Sequence, residues 1–241
     1  MTGTLTRRRL LITGASSGIG AATARLAASA GARVALIARR DAELTALAEE
    51  IGGLAVPADV TDAAALIAAV DRAADELGGL DGVVASAGVA RPIHVATDDP
   101  ADMANLVQVN VIGLLHTLRA TVPHLIASGA GDVVVLSSLS GRRVPRDTMG
   151  VYSGTKFAAH AIAEGLRLEL AEHPVRVTTV APGYVATPIA DAATGSDADR
   201  FRADVAAHGM SPVTVAHLIV TALTTPREAE LVELAVRPTG E

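Results

Sequence analysis

The sequence predicts an α/β fold built on a doubly wound, seven-stranded parallel sheet flanked by helices, and three observations carry that prediction. Short β-branched or apolar runs alternate with longer, Ala-rich amphipathic stretches along the 241 residues. The stretches between runs are long enough for the crossover helices that parallel strands require. Half of the residues are apolar but only 2% are aromatic, so the core must be Ala, Val, Leu and Ile, which suits close packing of helices on both sheet faces.

The elements follow in order. Leu10–Thr13 reads as the first strand. The apolar run after Arg7, Arg8 and Arg9 stops at Thr13-Gly14, short of the ~7–15 residues of a signal core, so the arginines are a basic lead-in to the strand. Gly18–Ala30 reads as a helix and Arg33–Ala38 as a strand. Asp41 caps a helix with Leu44, Leu47, Ala48 and Ile51 on one face. Leu54–Pro57 is a short strand. Thr61 or Asp62 caps a helix that reaches Leu77, where Gly78-Gly79 stops it. Gly82–Ser86 is a strand, Pro100–Ile126 one long helix, Asp132–Ser137 a strand and Met149–Glu172 a second long helix. Val175–Val180 is a strand, Asp197–His208 and Val213–Thr224 are shorter helices, and Leu231–Val236 closes the sheet. No linker or second core interrupts residues 1–241, which implies one domain. The longest irregular segment runs from Pro182 to Gly195, and such loops commonly act as lids, here expected around 186–210.

Composition narrows the function. A formal charge of −6 with no basic face beyond short Arg pairs argues against nucleic acid. Without cysteine there are no disulfides or thiolate metal sites, and the seven histidines lack ligand spacing, so no metal is expected. No apolar run approaches the ~18–20 residues of a membrane span. The expectation is a soluble, cytoplasmic protein with a small-molecule ligand.

The first strand runs into Thr13-Gly14-Ala15-Ser16-Ser17-Gly18-Ile19-Gly20, where a helix begins. Glycines let backbone approach a phosphate closely, and the helix start offers unpaired N–H groups and a positive dipole end. The second strand ends at Ala38, where an NAD site would place an acid for the ribose 2′-hydroxyl. Arg39-Arg40 follow instead, and a 2′-phosphate prefers guanidinium without a nearby carboxylate. The cofactor expected is NADP(H).

Tyr152-Ser153-Gly154-Thr155-Lys156 falls in a predicted helix, where positions i and i+4 share a face. A phenol near pKa 10 is a poor base at neutral pH. An ammonium about 5 Å away contributes roughly 3 kcal/mol at an effective dielectric of about 20, or about 2 units of pKa. Tyr152 would then act as general acid in reduction and general base in oxidation.

These motifs together resemble the short-chain dehydrogenase/reductase family over nearly the whole chain: Thr13-Gly14-x-x-x-Gly18-x-Gly20, then Tyr152-x-x-x-Lys156 fourteen residues after Ser138. The resemblance implies a single Rossmann-type domain and a catalytic set of Asn110, Ser138, Tyr152 and Lys156. It makes Ser138 the hydroxyl that orients the substrate carbonyl. Asn110 would kink the long helix and hold a water in a proton relay from Lys156, which would also hold the nicotinamide ribose. It assigns Asp59-Val60 to the adenine, with Gly14, Ser16, Ser17, Gly18, Ile19 and Gly20 at the phosphates. Ala85-Ser86-Ala87-Gly88 stands where the family usually has Asn-Asn-Ala-Gly; Ser86 can still bond, and Gly88 keeps the backbone open. Pro182, Gly183, Val185 and Thr187 would meet the nicotinamide.

Arg39-Arg40, Gly141-Arg142-Arg143 and Val236-Arg237-Pro238-Thr239 are similar to the NADP-dependent 3-hydroxy acid dehydrogenase and clavulanate-dehydrogenase-like branch. The expected activity is hydride transfer between the nicotinamide and a carbonyl or secondary alcohol. A 3-oxoacyl-thioester reductase is the alternative. A non-catalytic NADP-binding sensor would be expected to lose Tyr152 or Lys156, and a long-branch epimerase would carry a substrate domain. Arg142, Arg143 or Arg146 would read an anionic group on the substrate, while His94 reads as a surface-loop residue. Family members pair the two long helices into a four-helix interface, which implies a homotetramer.

Overall fold

The computed structural model describes residues 4–194 and 197–239. Gly195 and Ser196, inside the expected loop and lid, lie outside the described residues. Seven parallel strands form one sheet: β1 (Arg9–Thr13), β2 (Arg33–Ile37), β3 (Leu54–Ala55), β4 (Gly82–Ala85), β5 (Gly131–Leu136), β6 (Val175–Pro182) and β7 (Glu233–Val236). Their order is β3-β2-β1-β4-β5-β6-β7. The direction of winding reverses between β1 and β4, and the crevice above such a reversal is where open α/β sheets bind ligands.

Alternation along the strands sends side chains to two cores. Leu11, Val83, Val133, Val135 and Val177 meet α3 (Ala63–Leu77), α5 (Gly113–Ser128) and α6 (Gly150–Glu169) on one face. Leu10, Ile12, Val84, Val134 and Val180 meet α1 (Gly18–Ser29), α2 (Asp41–Ile51) and α8 (Pro212–Thr224) on the other. A third apolar cluster sits above the sheet, where Phe201 and Val205 of α7 (Ala198–His208) pack near Met149, Tyr152 and Leu106. Among the described residues, no helix is long and apolar enough to cross a membrane.

Element boundaries shift in ways that matter for the site. Asp62, rather than Thr61, caps α3 by accepting from the Ala65 N–H at 3.0 Å. The helix expected over Pro100–Ile126 is two helices, α4 (Pro100–Val107) and α5, joined by a π turn over Gln108–Ile112. The second long helix starts one residue later than expected, after a 3₁₀ turn over Asp147–Met149, and stops at Glu169. The third strand is only Leu54–Ala55, although the Val56 and Ala58 N–H groups still donate to the Leu36 and Ala38 carbonyls, at 2.9 and 3.1 Å.

Two of the three leading arginines, Arg8 and Arg9, have a structural use. Arg8 donates to Asp132 at 2.5 Å and to the Asp81 carbonyl at 2.8 Å, while Arg9 pairs with Asp81 at 2.5 Å. Asp132, the β5 partner of Arg176 in the sheet register, also takes Arg176 at 2.7 Å and Arg227 at 3.1 Å. This buried knot ties the starts of β1, β5 and β6 together.

Candidate active site

The turn after β1 brings backbone, not side chains, to the ligand face. Gly14 has φ +67, and a Cβ there would lie 2.7 Å from the Ala87 Cα. A Cβ on Gly20 would lie 2.5 Å from the Gly14 carbonyl oxygen and 2.8 Å from the Ser86 hydroxyl. Bulk at either position is thus excluded by the neighbouring β4 turn. Ser17 precedes α1 without a side-chain cap, which leaves the first N–H groups of the helix for a ligand. Ser86, standing where the family usually has Asn, donates to the Thr13 carbonyl at 2.5 Å, and the Ala87 N–H donates to the Thr13 hydroxyl at 3.3 Å. These bonds keep the β1 and β4 ends in register.

These turns floor a cleft of about 520 Å³. The structure brings Gly14, Ser16, Ser17, Gly18, Ile19 and Gly20 together there with Arg39, Arg40, Asp59, Val60, Ser86, Ala87, Gly88 and Thr187. Arg40 donates to the Ser16 hydroxyl at 2.9 Å and to the Ser17 hydroxyl at 2.7 Å, which aims its guanidinium at the helix start. One expectation needs correction: the arginines are not free of carboxylates. Arg39 lies 3.8 Å from Asp59, and Arg40 lies 3.7 Å from Glu43. Both pairs are solvent-exposed, where such contacts contribute about 0–1 kcal/mol and yield to a stronger anion. Asp59 also accepts from the Thr61 N–H and hydroxyl, both at 2.9 Å, so it is a turn residue as well as a cleft residue.

A second cleft of about 150 Å³ adjoins the first across Ile19, Ser86, Gly88 and Thr187. Ser138, Tyr152, Lys156, Pro182, Gly183 and Val185 converge on it. Ser138 lies two residues beyond the end of β5; its hydroxyl accepts from the Ser140 N–H at 3.1 Å and faces the Pro182 carbonyl at 3.3 Å. Tyr152 and Lys156 project from the first two turns of α6, one turn apart on one face, with the ammonium 5.8 Å from the phenol ring centre. Lys156 donates to the Leu136 carbonyl at 3.2 Å.

The protonation balance of the chain alone differs from the sequence expectation. Burial pushes the Tyr152 phenol up to about 12, against a hydrogen bond with Ser138 that pulls it down. Burial also lowers the Lys156 ammonium to about 8, and among the described residues no carboxylate opposes it. Both side chains are desolvated together, so each resists charging and the expected lowering of Tyr152 is not realised.

Asn110 does not reach either cleft. It sits in the π turn, where its amide oxygen accepts from the Val89 N–H at 2.8 Å. Its amide nitrogen donates to the Val89 carbonyl at 2.9 Å and to the Thr155 hydroxyl at 3.1 Å. It therefore clamps the segment after Gly88 onto α6. A small cavity of about 10 Å³ touches Asn110 and Lys156, at the lower edge of what holds one water.

Other residues in this network escaped the sequence reading. Thr155 donates to the Tyr152 carbonyl at 2.7 Å and receives Asn110; its place between Tyr152 and Lys156 was the available signal. His160 meets the Ser137 hydroxyl at 2.8 Å and the Lys156 carbonyl at 3.0 Å, and its other ring nitrogen meets Glu233 of β7 at 2.9 Å. His160 lies one turn beyond Lys156, but nothing local pointed to Glu233, seventy-three residues away. His94 pairs with Asp197 at 3.6 Å outside both clefts.

Comparison with known proteins agrees with this geometry. The family model described as short chain dehydrogenase matches residues 8–197. The chain is 38% identical over 245 residues to the glycine betaine reductase ATRR of Emericella nidulans, covering 99% of this chain but only 19% of that larger protein. A short chain dehydrogenase from Burkholderia cenocepacia, solved in complex with NADP, is 31% identical with a TM-score of 0.82 over 97% of each chain. The 3-ketoacyl-(acyl-carrier-protein) reductase from Brucella melitensis, solved with NADH, is 28% identical with a TM-score of 0.86, covering 97% of this chain and 98% of that one. This chain belongs to the short-chain dehydrogenase/reductase family, oxidoreductases that use nicotinamide cofactors.

Proposed function

We propose that this protein is an NADP(H)-dependent reductase that interconverts a carbonyl and a secondary alcohol, in the 3-hydroxy acid dehydrogenase-like branch of its family. The observation that carries this reading is the convergence of Ser138, Tyr152 and Lys156 on the smaller cleft, which adjoins the larger one. A dinucleotide fits the larger cleft: the Gly14 and Gly20 cradle admits no side chain, and the α1 start is uncapped. When bound, the reduced nicotinamide supplies a hydride and is left oxidised. Ser138 holds the substrate oxygen, and Tyr152 gives its phenolic proton to that oxygen as charge develops on it. Lys156 stabilises the resulting phenolate, while Asn110 fixes the floor beneath both. The preference for NADP is supported by Ala38 at the end of β2 and by Arg40 aimed at the helix start beside Arg39. Residues 186–210 would form the lid, with Ile189 and Phe201 already against the smaller cleft. A second reading, a 3-oxoacyl-thioester reductase, is supported by the likeness to the Brucella enzyme.

The test is NADPH and NADH consumption against oxo acids, diketones and acyl thioesters, with Tyr152→Phe beside the wild type. The phenylalanine variant keeps the ring and loses the proton, so turnover should fall by about 10²–10⁴ while NADPH binding, read by fluorescence titration, persists. Substantial turnover in this variant overturns the mechanism, and faster turnover with NADH overturns the cofactor preference. We also propose a homotetramer: Val107, Leu115, Phe157 and Leu168 are 42–61% exposed on α4, α5 and α6. A monomer by light scattering at micromolar concentration would refute it.

A further inference from the structure

We propose that Arg143 sets the specificity of the site by pairing with a carboxylate on the substrate, so that the preferred carbonyl compound is a short oxo acid. The inference rests on the reductase reading and names its substrate class.

Three arginines follow Ser138 within eight residues, and the structure separates them. Arg142 turns away from the cleft and grips Glu233 with two nitrogens, at 2.8 and 2.6 Å. His160 meets the same carboxylate oxygen, Oε1. Arg146 is largely buried between the Tyr184 hydroxyl, at 2.5 Å, and Asp204, with which it forms an ion pair. Both guanidiniums are therefore held by carboxylates, although the Arg146 Nη1 is buried without a partner, and neither lines the smaller cleft. Arg143 has no side-chain hydrogen bond or ion pair among the described residues, and it borders the smaller cleft that Ser138, Tyr152 and Lys156 also line.

Its backbone is not adrift. The Arg142 and Arg143 N–H groups both point to the Leu139 carbonyl, at 3.0 and 3.3 Å. The preceding Gly141 packs so tightly that a Cβ would strike His160 and come within 2.7 Å of the Lys156 carbonyl. The loop is thus seated on the helix that carries Tyr152, and Arg143 stands at a fixed place on the cleft.

Charge balance decides what that place selects. Neither Asp nor Glu lines this cleft among the described residues, while Lys156 and Arg143 both do. A chain of net charge −6 has here an acid-free hollow with two cations. Such hollows concentrate anions. Met149, Tyr184, Phe201 and Val205 supply apolar wall between the ends. Arg143 itself is exposed, and the apolar wall excludes water only on the cleft side of a guanidinium–carboxylate pair there. The carbonyl oxygen goes to Ser138 and Tyr152, the hydrocarbon runs along the apolar wall, and the carboxylate meets Arg143. A volume of about 150 Å³ keeps the acid short.

The experiment compares an oxo acid, its methyl ester and its neutral N-acetylcysteamine thioester, in wild type, Arg143→Gln, Arg143→Lys and Arg142→Gln. The wild type should favour the acid over the ester by roughly tenfold or more in kcat/KM, mostly through KM. In Arg143→Gln that ratio should collapse to near one, Arg143→Lys should restore part of it, and Arg142→Gln should leave the ratio intact. Equal efficiency on acid and ester in the wild type overturns the proposal, as does an acid preference that survives Arg143→Gln. In either case, Tyr152-dependent reduction of the ester shows that the reductase reading still stands. If no carbonyl compound is reduced, both readings fail together.

Discussion

Where β1, β5 and β6 begin, three arginines close on the one carboxylate of Asp132; at the opposite end of β5, Lys156 faces a carbonyl oxygen and no carboxylate. Both places are buried and both hold cations. At the first, Arg176 donates to Asp132 and to the carbonyls of Thr225, Pro226 and Ala229, so its charge is spread over fixed acceptors. At the second, among the described residues, one carbonyl and the Tyr152 ring, its centre 5.8 Å away, stand against burial, and the ammonium is lowered to about 8. A paired charge holds the sheet together. An unsatisfied charge is left for a ligand, and the apo chain bears its cost. Even the paired knot is not fully satisfied: the Arg8 Nε and Arg176 Nη2 are buried without a hydrogen-bond partner, and burial, with Arg176 and Arg8 close by, lowers the Arg227 pKa against the pull of Asp132.

The comparison breaks most severely at Asp132. Asp132→Ala leaves three guanidiniums around an empty centre, and removing one partner of a buried ionic cluster costs about 3–5 kcal/mol. Urea unfolding should show that loss. NADPH oxidation per folded molecule should persist, because Asp132 lies near the start of β5 and Ser138 just beyond its end, so the knot is at the opposite end of the strand from both clefts. A variant of wild-type stability would mean that the knot is decoration rather than a fastening.

The sequence disclosed the second region more readily than the first. Gly14, Gly18, Gly20, Tyr152 and Lys156 lie within short motifs, where spacing alone fixes a turn or a shared helix face. The knot is assembled from Arg8, Asp132, Arg176 and Arg227, with Arg8 and Asp132 separated by 124 positions, and no local pattern links them. The strand positions were legible because β-branched runs such as Val133-Val134-Val135 bury both faces of a parallel sheet. The π turn was not. One extra residue in a turn barely alters the apolar spacing from Leu106 to Leu118, and only Asn110, a poor helix-interior residue, hinted at it. The arginines after Ser138 were visible as a group, but which was free depended on Glu233 and Asp204, brought in by β7 and α7.

A smaller effect tests whether Lys156 is as poorly satisfied as the comparison requires. Lys156 is the only lysine of a chain without cysteine, so the region between pH 8 and 10 is unusually clear of other side-chain titrations. Its pKa is about 8 when folded, against 10.5 ordinarily, so the folded state binds fewer protons than the unfolded state between those values. Stability must then rise with pH across that window. Below about 8 both states carry the charge and the folded chain bears its full burial cost; above 10.5 both are neutral and the cost is gone. Tyr152 works in the opposite sense, since burial holds its proton up to about 12 and stability falls from about pH 10 upward, which sets the upper limit of the experiment. Lys156→Met replaces the ammonium with a neutral side chain of similar length. At pH 7.5 it should exceed the wild type by about 3 kcal/mol in urea unfolding, and by about 1 kcal/mol at pH 10. The gap must close as pH rises. A constant gap would show that the Lys156 charge is already satisfied in the folded chain, and the contrast with Asp132 would lose its electrostatic basis.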